Sequence, residues 1–279
     1  MRRGEWPEIA TVSGIECVGL VVEDPSGTLP TGTRVLALMG GMGRTRNGSY
    51  AEYVSVPGSN VVPVQTSLDW SELAALPESY ATAWSALHVN LRLQRGETLL
   101  VRGATSALGQ AAVTLGAARG ATVFATTRRE DRMPMLSLLG ARAFLEDAGL
   151  RERIAEERPG GVDAVLDLIG NSGFAESVRM ARMRSGRVCI AGFLGGAAPV
   201  TFDALSSLTP GVELSLFASF AYGAPAYPLS EIPFQQIVDD VASGRLQAKP
   251  AAVFQFERIA DAHRLMESNE AGGKIVIVL

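Results

Sequence analysis

The chain is poor in the residues that build covalent or metal frameworks. Of its 279 residues only two are cysteine, Cys17 and Cys189, and two are histidine, His88 and His263. Two thiols exclude a disulfide scaffold, and so few Cys and His exclude a Cys/His-rich zinc site. Long apolar runs are missing as well, since none approaches the ~20 residues that a membrane span needs. Behind Met1-Arg-Arg-Gly no apolar segment follows, so a secretory signal is not expected and the cytoplasm is the default location. Positive charge is scarce: the net charge is −4, and the arginines between Arg179 and Arg187 read as a solvated helix face. Without a concentrated basic face, nucleic acid is excluded as a partner. There is no internal repeat and no low-complexity tract beyond Gly/Ala clusters.

What is present is a 47% hydrophobic composition on a chain longer than one ordinary domain, so two domains sharing a cleft are expected. The most informative stretch is Thr98-Leu-Leu-Val-Arg-Gly-Ala-Thr-Ser-Ala-Leu-Gly109, followed by an Ala-rich segment to Gly120 and the β-branched run Thr122-Val-Phe-Ala-Thr-Thr-Arg128. It reads as strand, tight turn, helix, strand, the sequence form of a nucleotide-binding βαβ half. Small residues at Gly103, Ala104, Ser106 and Gly109 would let a pyrophosphate approach the backbone amides and the positive end of the helix. The strict G-x-G-x-x-G pattern is only partly met, because its positions are held by Ala104, Ser106 and Gly109.

Along the chain, Cys17–Val22, Arg34–Leu38 and Tyr50–Val56 are short β-like runs of a small barrel. The Gly-rich Met39–Gly48 between two of them lacks a following helix and reads as a flexible surface loop. Ser67–Leu93 is helical in composition, with Ser67 or Asp69 as N-cap and Pro77 opening the next helix. From Thr98 strands and helices alternate, with strands expected at Thr98–Arg102, Thr122–Thr126, Ala143–Leu145, Ala164–Ile169, Arg187–Gly192 and Val212–Phe217. That alternation predicts an α/β fold with a doubly wound parallel sheet. Phe234–Ala242 is expected to be a helix, and the segment from Lys274 is expected to return to the first domain.

Short blocks spread over the whole chain carry a resemblance. They include Gly14-Ile-Glu-Cys-Val-Gly19, Gly48-Ser-Tyr-Ala-Glu-Tyr-Val54, Ala74-Ala-Leu-Pro77 with Tyr80-Ala-Thr-Ala-Trp84, Gly103 to Gly109, Gly161-Val-Asp-Ala-Val-Leu-Asp167 and Ala271-Gly-Gly-Lys-Ile-Val276. In order and spacing the chain resembles the zinc-independent quinone oxidoreductases of the medium-chain dehydrogenase/reductase superfamily. The resemblance implies a partial chaperonin-10-like β-barrel substrate domain (residues 1–86), a Rossmann domain (87–224) and a segment returning to the substrate domain (225–279). It also implies reduction of quinones or α,β-unsaturated carbonyls by a nicotinamide cofactor, and a homodimer formed across the edge of the sixth Rossmann strand. Against the family pattern the chain looks N-terminally truncated before Arg3-Gly4-Glu5-Trp6-Pro7, with Trp6 near a position where some members carry Tyr. Where zinc-dependent relatives have Gly-His-Glu, this chain has Gly14-Ile15-Glu16, so catalytic zinc is not expected.

The end of the second Rossmann strand bears on the choice of cofactor. A carboxylate there would hold the two ribose hydroxyls of NADH, whereas a 2′-phosphate needs hydroxyls and cations. Thr126, Thr127 and Arg128 stand there, with Arg129 and Arg132 just beyond, and this favours NADPH. Glu130 and Asp131 weigh the other way unless they cap the helix that follows. The resemblance places Thr82 near the carboxamide, Thr105, Ala107 and Leu108 with Ala104, Ser106 and Gly109 around the pyrophosphate, Gly192, Phe193 and Ala218 beside the nicotinamide ribose, and Lys274 as a further cofactor contact. Tyr53 and Tyr80 are candidate proton donors or oxyanion partners, although packing roles are the stronger expectation for both. His88 and His263 are expected in packing and exposed positions, and Cys189 is expected to be inert within a buried strand. Two alternatives carry their own signatures. One is a nicotinamide-binding pseudoenzyme with an incomplete substrate site; the other is a short-chain reductase, which would need a Tyr-x-x-x-Lys pair that this sequence lacks.

Overall fold

The computed structural model describes residues 10–279; Arg3–Pro7, with Trp6, lie outside the described residues. In chain order the strands are β1 (Glu16–Leu20), β2 (Arg34–Leu38), β3 (Val61–Pro63), β4 (Thr98–Arg102), β5 (Thr122–Thr127), β6 (Ala141–Leu145), β7 (Ala164–Asp167), β8 (Arg187–Ile190), β9 (Glu213–Leu216), β10 (Ala252–Gln255) and β11 (Ile275–Val278). The helices are α1 (Trp70–Leu73), α2 (Pro77–Ser85), α3 (Ala107–Ala118), α4 (Met133–Leu138), α5 (Leu150–Glu157), α6 (Phe174–Met180), α7 (Ala204–Ser207), α8 (Phe234–Ala242) and α9 (Ile259–Glu267). The chain divides into two compact units. One comprises residues up to Ala81 together with Ser219–Leu279, and the other is Thr82–Ala218.

The second unit is an α/β fold of Rossmann type, with six parallel strands in the order β6-β5-β4-β7-β8-β9. Strands covered by helices on both faces read as near-continuous apolar runs rather than alternating, and β4 and β7 are buried at every residue, their terminal Arg102 and Asp167 included. In register, Leu100 lies beside Phe124 on β5 and Val165 on β7. With Phe144 and Val188 they form a sheet face on which Leu150, Ile154, Phe174 and Val178 pack. Each such side chain, removed from water, stabilises the unit by roughly 1.5–3 kcal/mol before entropy is counted. From β4 the chain winds outward to β5 and β6, then returns to the other side for β7, β8 and β9. Strand order therefore reverses at β4, and the crevice beyond the carboxyl ends of β4 and β7 is the place where such sheets hold ligands.

The first unit has an antiparallel sheet in the order β1-β2-β3 and a separate parallel pair, β10 and β11. Its expected third strand, Tyr50–Val56, forms no strand among the described residues. Val61–Pro63 takes that place instead, because the chain at Gly48–Tyr50 is already tied by its amides to the carbonyls of Val12, Gly14 and Ser13, and Pro57 opens a turn that delivers Val61–Pro63 to β2. The buried Asn60 amide locks that turn, donating at 3.0 Å to both Leu38 O and Tyr222 O.

The Gly-rich Met39–Gly48 is likewise not a loose surface loop. Met39 and Met42 are buried, and a Cβ on Gly43 would lie 2.7 Å from Gly14 O, so glycine permits close backbone packing there. Pro77 opens α2, and Asp69 stands at the N-cap of α1 without a side-chain cap bond. No helix among the described residues is long and apolar enough to cross a membrane.

Candidate functional site

The turn after β4 is built from its backbone outward. Gly103 has φ +77°, a conformation that glycine adopts at no steric cost. Its amide donates to Thr126 Oγ1 at 3.2 Å and that of Ala104 to Thr126 O at 3.1 Å, which fastens the turn to β5. Ser106 is the N-cap of α3: its hydroxyl accepts from Gly109 N at 3.1 Å and donates to Gly103 O at 2.9 Å. The hydroxyl that the sequence offers to a phosphate is thus spent on shaping the turn. A Cβ on Gly109 would lie 2.6 Å from both Ala104 Cα and Gly103 O, so only glycine lets the helix start this close to the strand. A helix leaves its first four amides without helical acceptors. Here Gly109 is capped and Gln110 N reaches Ser106 O, while the amides of Ala107 and Leu108 have no acceptor among the described residues. These two donors, at the positive end of a 12-residue helix, are a ready site for an anion.

Beside the turn, β5 ends in Thr126 and Thr127, both buried. Thr127 Oγ1 accepts from Arg129 N at 3.1 Å and donates to Arg129 O at 3.2 Å, so it closes the next turn. Arg128 is exposed and makes no ion pair or hydrogen bond among the described residues. Arg129 is paired in fork geometry with Asp131, at 3.0 and 2.6 Å. Arg132 is half-buried in the short 3-10 turn Glu130–Arg132.

Behind the turn lies a polar network that the sequence reading missed. Arg102, the last residue of an apolar strand, is 7% exposed and forms an ion pair with Glu146, which is 15% exposed. It also donates to Gly173 O at 2.7 Å and Ser177 Oγ at 2.8 Å. Ser177 in turn donates to Asp167 Oδ2 at 2.6 Å, and Asp167 Oδ1 accepts from the amides of Ile169 and Gly170. The ends of β4, β6, β7 and α6 are joined in this way. The signal in the sequence was the charge itself: an arginine closing the run Thr98-Leu-Leu-Val is not there for burial alone.

Gly192 and Phe193 follow β8, and Phe193 is exposed. The next residue, Leu194, brings a methyl to 2.8 Å from where a Cβ on Gly103 would sit, so this loop and the phosphate turn are neighbours. Thr82 is buried at the start of the unit and Ala218 is half-buried at its end.

Tyr53, Tyr80 and Lys274 belong to the first unit. Tyr53 is 74% exposed. Tyr80 is 3% exposed, its hydroxyl donates to Gln247 O, and burial pushes its pKa well above the ordinary phenol. In this geometry the Tyr80 hydroxyl is engaged by a backbone carbonyl. Burial alone would lower the pKa of Lys274, but the charges of Glu16 and Glu78 and its hydrogen bond to Glu16 outweigh this and hold it above the ordinary lysine. The other oxygen of Glu16 accepts from Glu78 N at 2.8 Å, so the carboxylate is committed to the start of α2 and to Lys274.

The remaining candidates are quiet. Burial pushes the Cys17 thiol up to about 11 and Cys189 up to about 12, which leaves both protonated and unreactive near neutral pH. His88 is stacked on Trp84 at 4.7 Å, and burial lowers its pKa. His263 is exposed, edge-on to Tyr50.

Comparison with known proteins agrees with this architecture. A family model described as zinc-binding dehydrogenase matches residues 139–277. A phenolphthiocerol/phthiocerol polyketide synthase of Mycobacterium tuberculosis is 31% identical over 96% of this chain, which spans only 12% of that protein's length. Quinone oxidoreductase-like protein 2 of Bos taurus is 27% identical over 99% of this chain and 78% of its own. Among solved structures, an NAD-dependent alcohol dehydrogenase matches with a TM-score of 0.78 and 26% identity, covering 96% of this chain and 82% of that one.

Proposed function

The chain belongs to the medium-chain dehydrogenase/reductase superfamily, and from that premise we propose that it uses NADPH, without zinc, to reduce a quinone or an α,β-unsaturated carbonyl. The observation that carries this reading is the β4–α3 turn: a glycine with no room for a Cβ and, among the described residues, two amides without acceptors at a helix start and an arginine without a partner at the end of the neighbouring strand. A pyrophosphate fits that cradle, with Ala107 N and Leu108 N as donors. In this reading Arg128 would meet a 2′-phosphate, which a guanidinium binds through two parallel hydrogen bonds. A bound nicotinamide supplies the hydride. What the chain supplies is position: the Ser106 cap and the Thr126 contacts hold the turn in shape before any ligand arrives, so little ordering is left to pay for on binding. Freedom from zinc is supported by the commitment of Glu16 to Lys274 and the Glu78 amide. Among the described residues, no group of three or more His, Cys, Asp or Glu is placed to hold a metal ion.

The test is NADPH oxidation by the purified chain with a panel of quinones and enones. Acceptor-dependent turnover is expected. NADPH binding with no turnover across the panel would replace this reading with that of a nicotinamide-binding protein lacking activity, and binding of neither dinucleotide would end both. Within the same titrations, Arg128→Gln is expected to weaken NADPH about tenfold, the order of one charge-assisted hydrogen bond, and to leave NADH within twofold. Equal loss for both cofactors would remove Arg128 from the 2′-phosphate.

The homodimer belongs to the same proposal. Among the described residues strand β9 pairs in the sheet with β8 alone, and its Leu214 and Leu216 are exposed, an apolar edge of the sort that pairs with its own copy across a two-fold axis. Light scattering should give twice the 29.4 kDa of the chain; Leu214→Lys with Leu216→Lys should return it to the single mass.

A further inference from the structure

We propose that Asp131 is a specificity-determining residue, which limits the site's preference for a dinucleotide carrying a 2′-phosphate by holding Arg129 in a bidentate ion pair. The inference rests on the reading that this site takes a nicotinamide dinucleotide. After Thr127 the chain places Arg128, Arg129, Glu130, Asp131 and Arg132, so three guanidiniums face two carboxylates and a single net positive charge remains. Their arrangement is uneven. Arg128 has no partner among the described residues, whereas Arg129 is engaged by Asp131 through Nε and one terminal nitrogen, Nη2. The hydrogen bonds of Thr127 Oγ1 to the backbone of Arg129 fix where that residue starts, so Arg129 and Asp131 stay next to the strand end.

The pair is 51% and 62% exposed, and an exposed ion pair stabilises little, so a phosphate dianion is able to compete for the guanidinium. Competition has a consequence, because drawing Arg129 away leaves the Asp131 carboxylate unpaired beside a second anion. Whether the pair holds or opens, the cost falls on the 2′-phosphate: in one case a guanidinium is withheld, in the other a carboxylate repels. A ribose with two neutral hydroxyls meets neither cost. Discrimination by a repulsive element of this kind acts on one ligand and spares its rival.

The experiment is fluorescence titration of the full chain with NADPH and with NADH at one fixed ionic strength, since exposed charges are screened by salt. Asp131→Asn keeps size and polarity, and it is expected to raise the NADPH-to-NADH affinity ratio about fivefold, the order of one exposed Coulomb contact. Because the intact pair also withholds Arg129, the same change in an Arg129→Gln background, where only the repulsion is relieved, is expected to raise the ratio less, by about twofold. Glu130→Gln, which removes an equal charge from a residue with no ion pair among the described residues, is also expected to leave it within twofold. The inference is overturned by an unchanged or lower ratio in Asp131→Asn, by a gain that is just as large without Arg129, or by an equal gain from Glu130→Gln. If the unmodified chain binds neither dinucleotide, the cofactor reading itself fails. If it binds both and only the variants behave otherwise, the reading stands and the role of Asp131 falls.

Discussion

Gly109→Val is expected to abolish the proposed dinucleotide binding and to destabilise the second unit by about 3 kcal/mol, the upper range for overpacking a filled site. The contacts that refuse a side chain are backbone atoms: Ala104 Cα and Gly103 O at 2.6 Å and Ala104 C at 2.8 Å from the Cβ position. Backbone cannot rotate out of the way as a side chain can. The turn must therefore open, and opening it moves the Ala107 and Leu108 amides away from the anion they would share. A second glycine on the same helix separates loss of stability from loss of the site. At Gly116 a Cβ would meet Leu99 Cδ2 at 2.9 Å and Val123 Cγ2 at 3.2 Å, the ends of side chains that can shift. Gly116→Ala should lower the melting temperature while leaving NADPH affinity unchanged. Thermal melts together with calorimetric titration decide the matter: wild-type affinity in folded Gly109→Val would show that the close approach of helix to strand is not what makes the site.

Replacing Arg102 by Met should cost about 3–5 kcal/mol, the range seen when one member of a buried ion pair is removed. The loss comes from what remains. Glu146 is left with little solvent and no counter-charge, and Gly173 O and Ser177 Oγ each lose a donor. Arg102→Met combined with Glu146→Met should recover most of the stability, since desolvation of the charges is avoided along with their attraction.

Denaturant melts of both variants at neutral pH check this. A single variant as stable as the double at neutral pH would mean that Arg102 contributes packing and not charge.

The strands of the parallel sheet were legible because both-face burial leaves a mark that needs no tertiary knowledge. β4 falls on Thr98–Arg102 as expected, and α8 on Phe234–Ala242, where apolar residues recur at helical spacing. Tyr50–Val56 carries an equally regular alternation and forms no strand among the described residues. Alternation says which residues suit a half-buried surface; a ladder also needs a neighbour with free amides, and β2 is paired with Val61–Pro63 instead. Met39–Gly48 misleads for the opposite reason. Its glycines suggest mobility when the chain is viewed alone, yet they are what allows two backbone segments to touch.

Of the site, the sequence by itself determined the type of turn and its place. A strand, a run of small residues and an Ala-rich helix in that order leave few other structures, because local sterics decide them. Only the tertiary structure decided which groups of that turn remain free. The hydroxyls of Ser106 and Thr127 bond to the backbone around them, while the amides of Ala107 and Leu108 have no acceptor among the described residues. Arg128 and Arg129 are likewise equivalent as letters and differ in space by one ion pair. The reason is the same in each case: a polar group is satisfied by whichever partner folding brings within about 3 Å, and sequence order does not carry that distance.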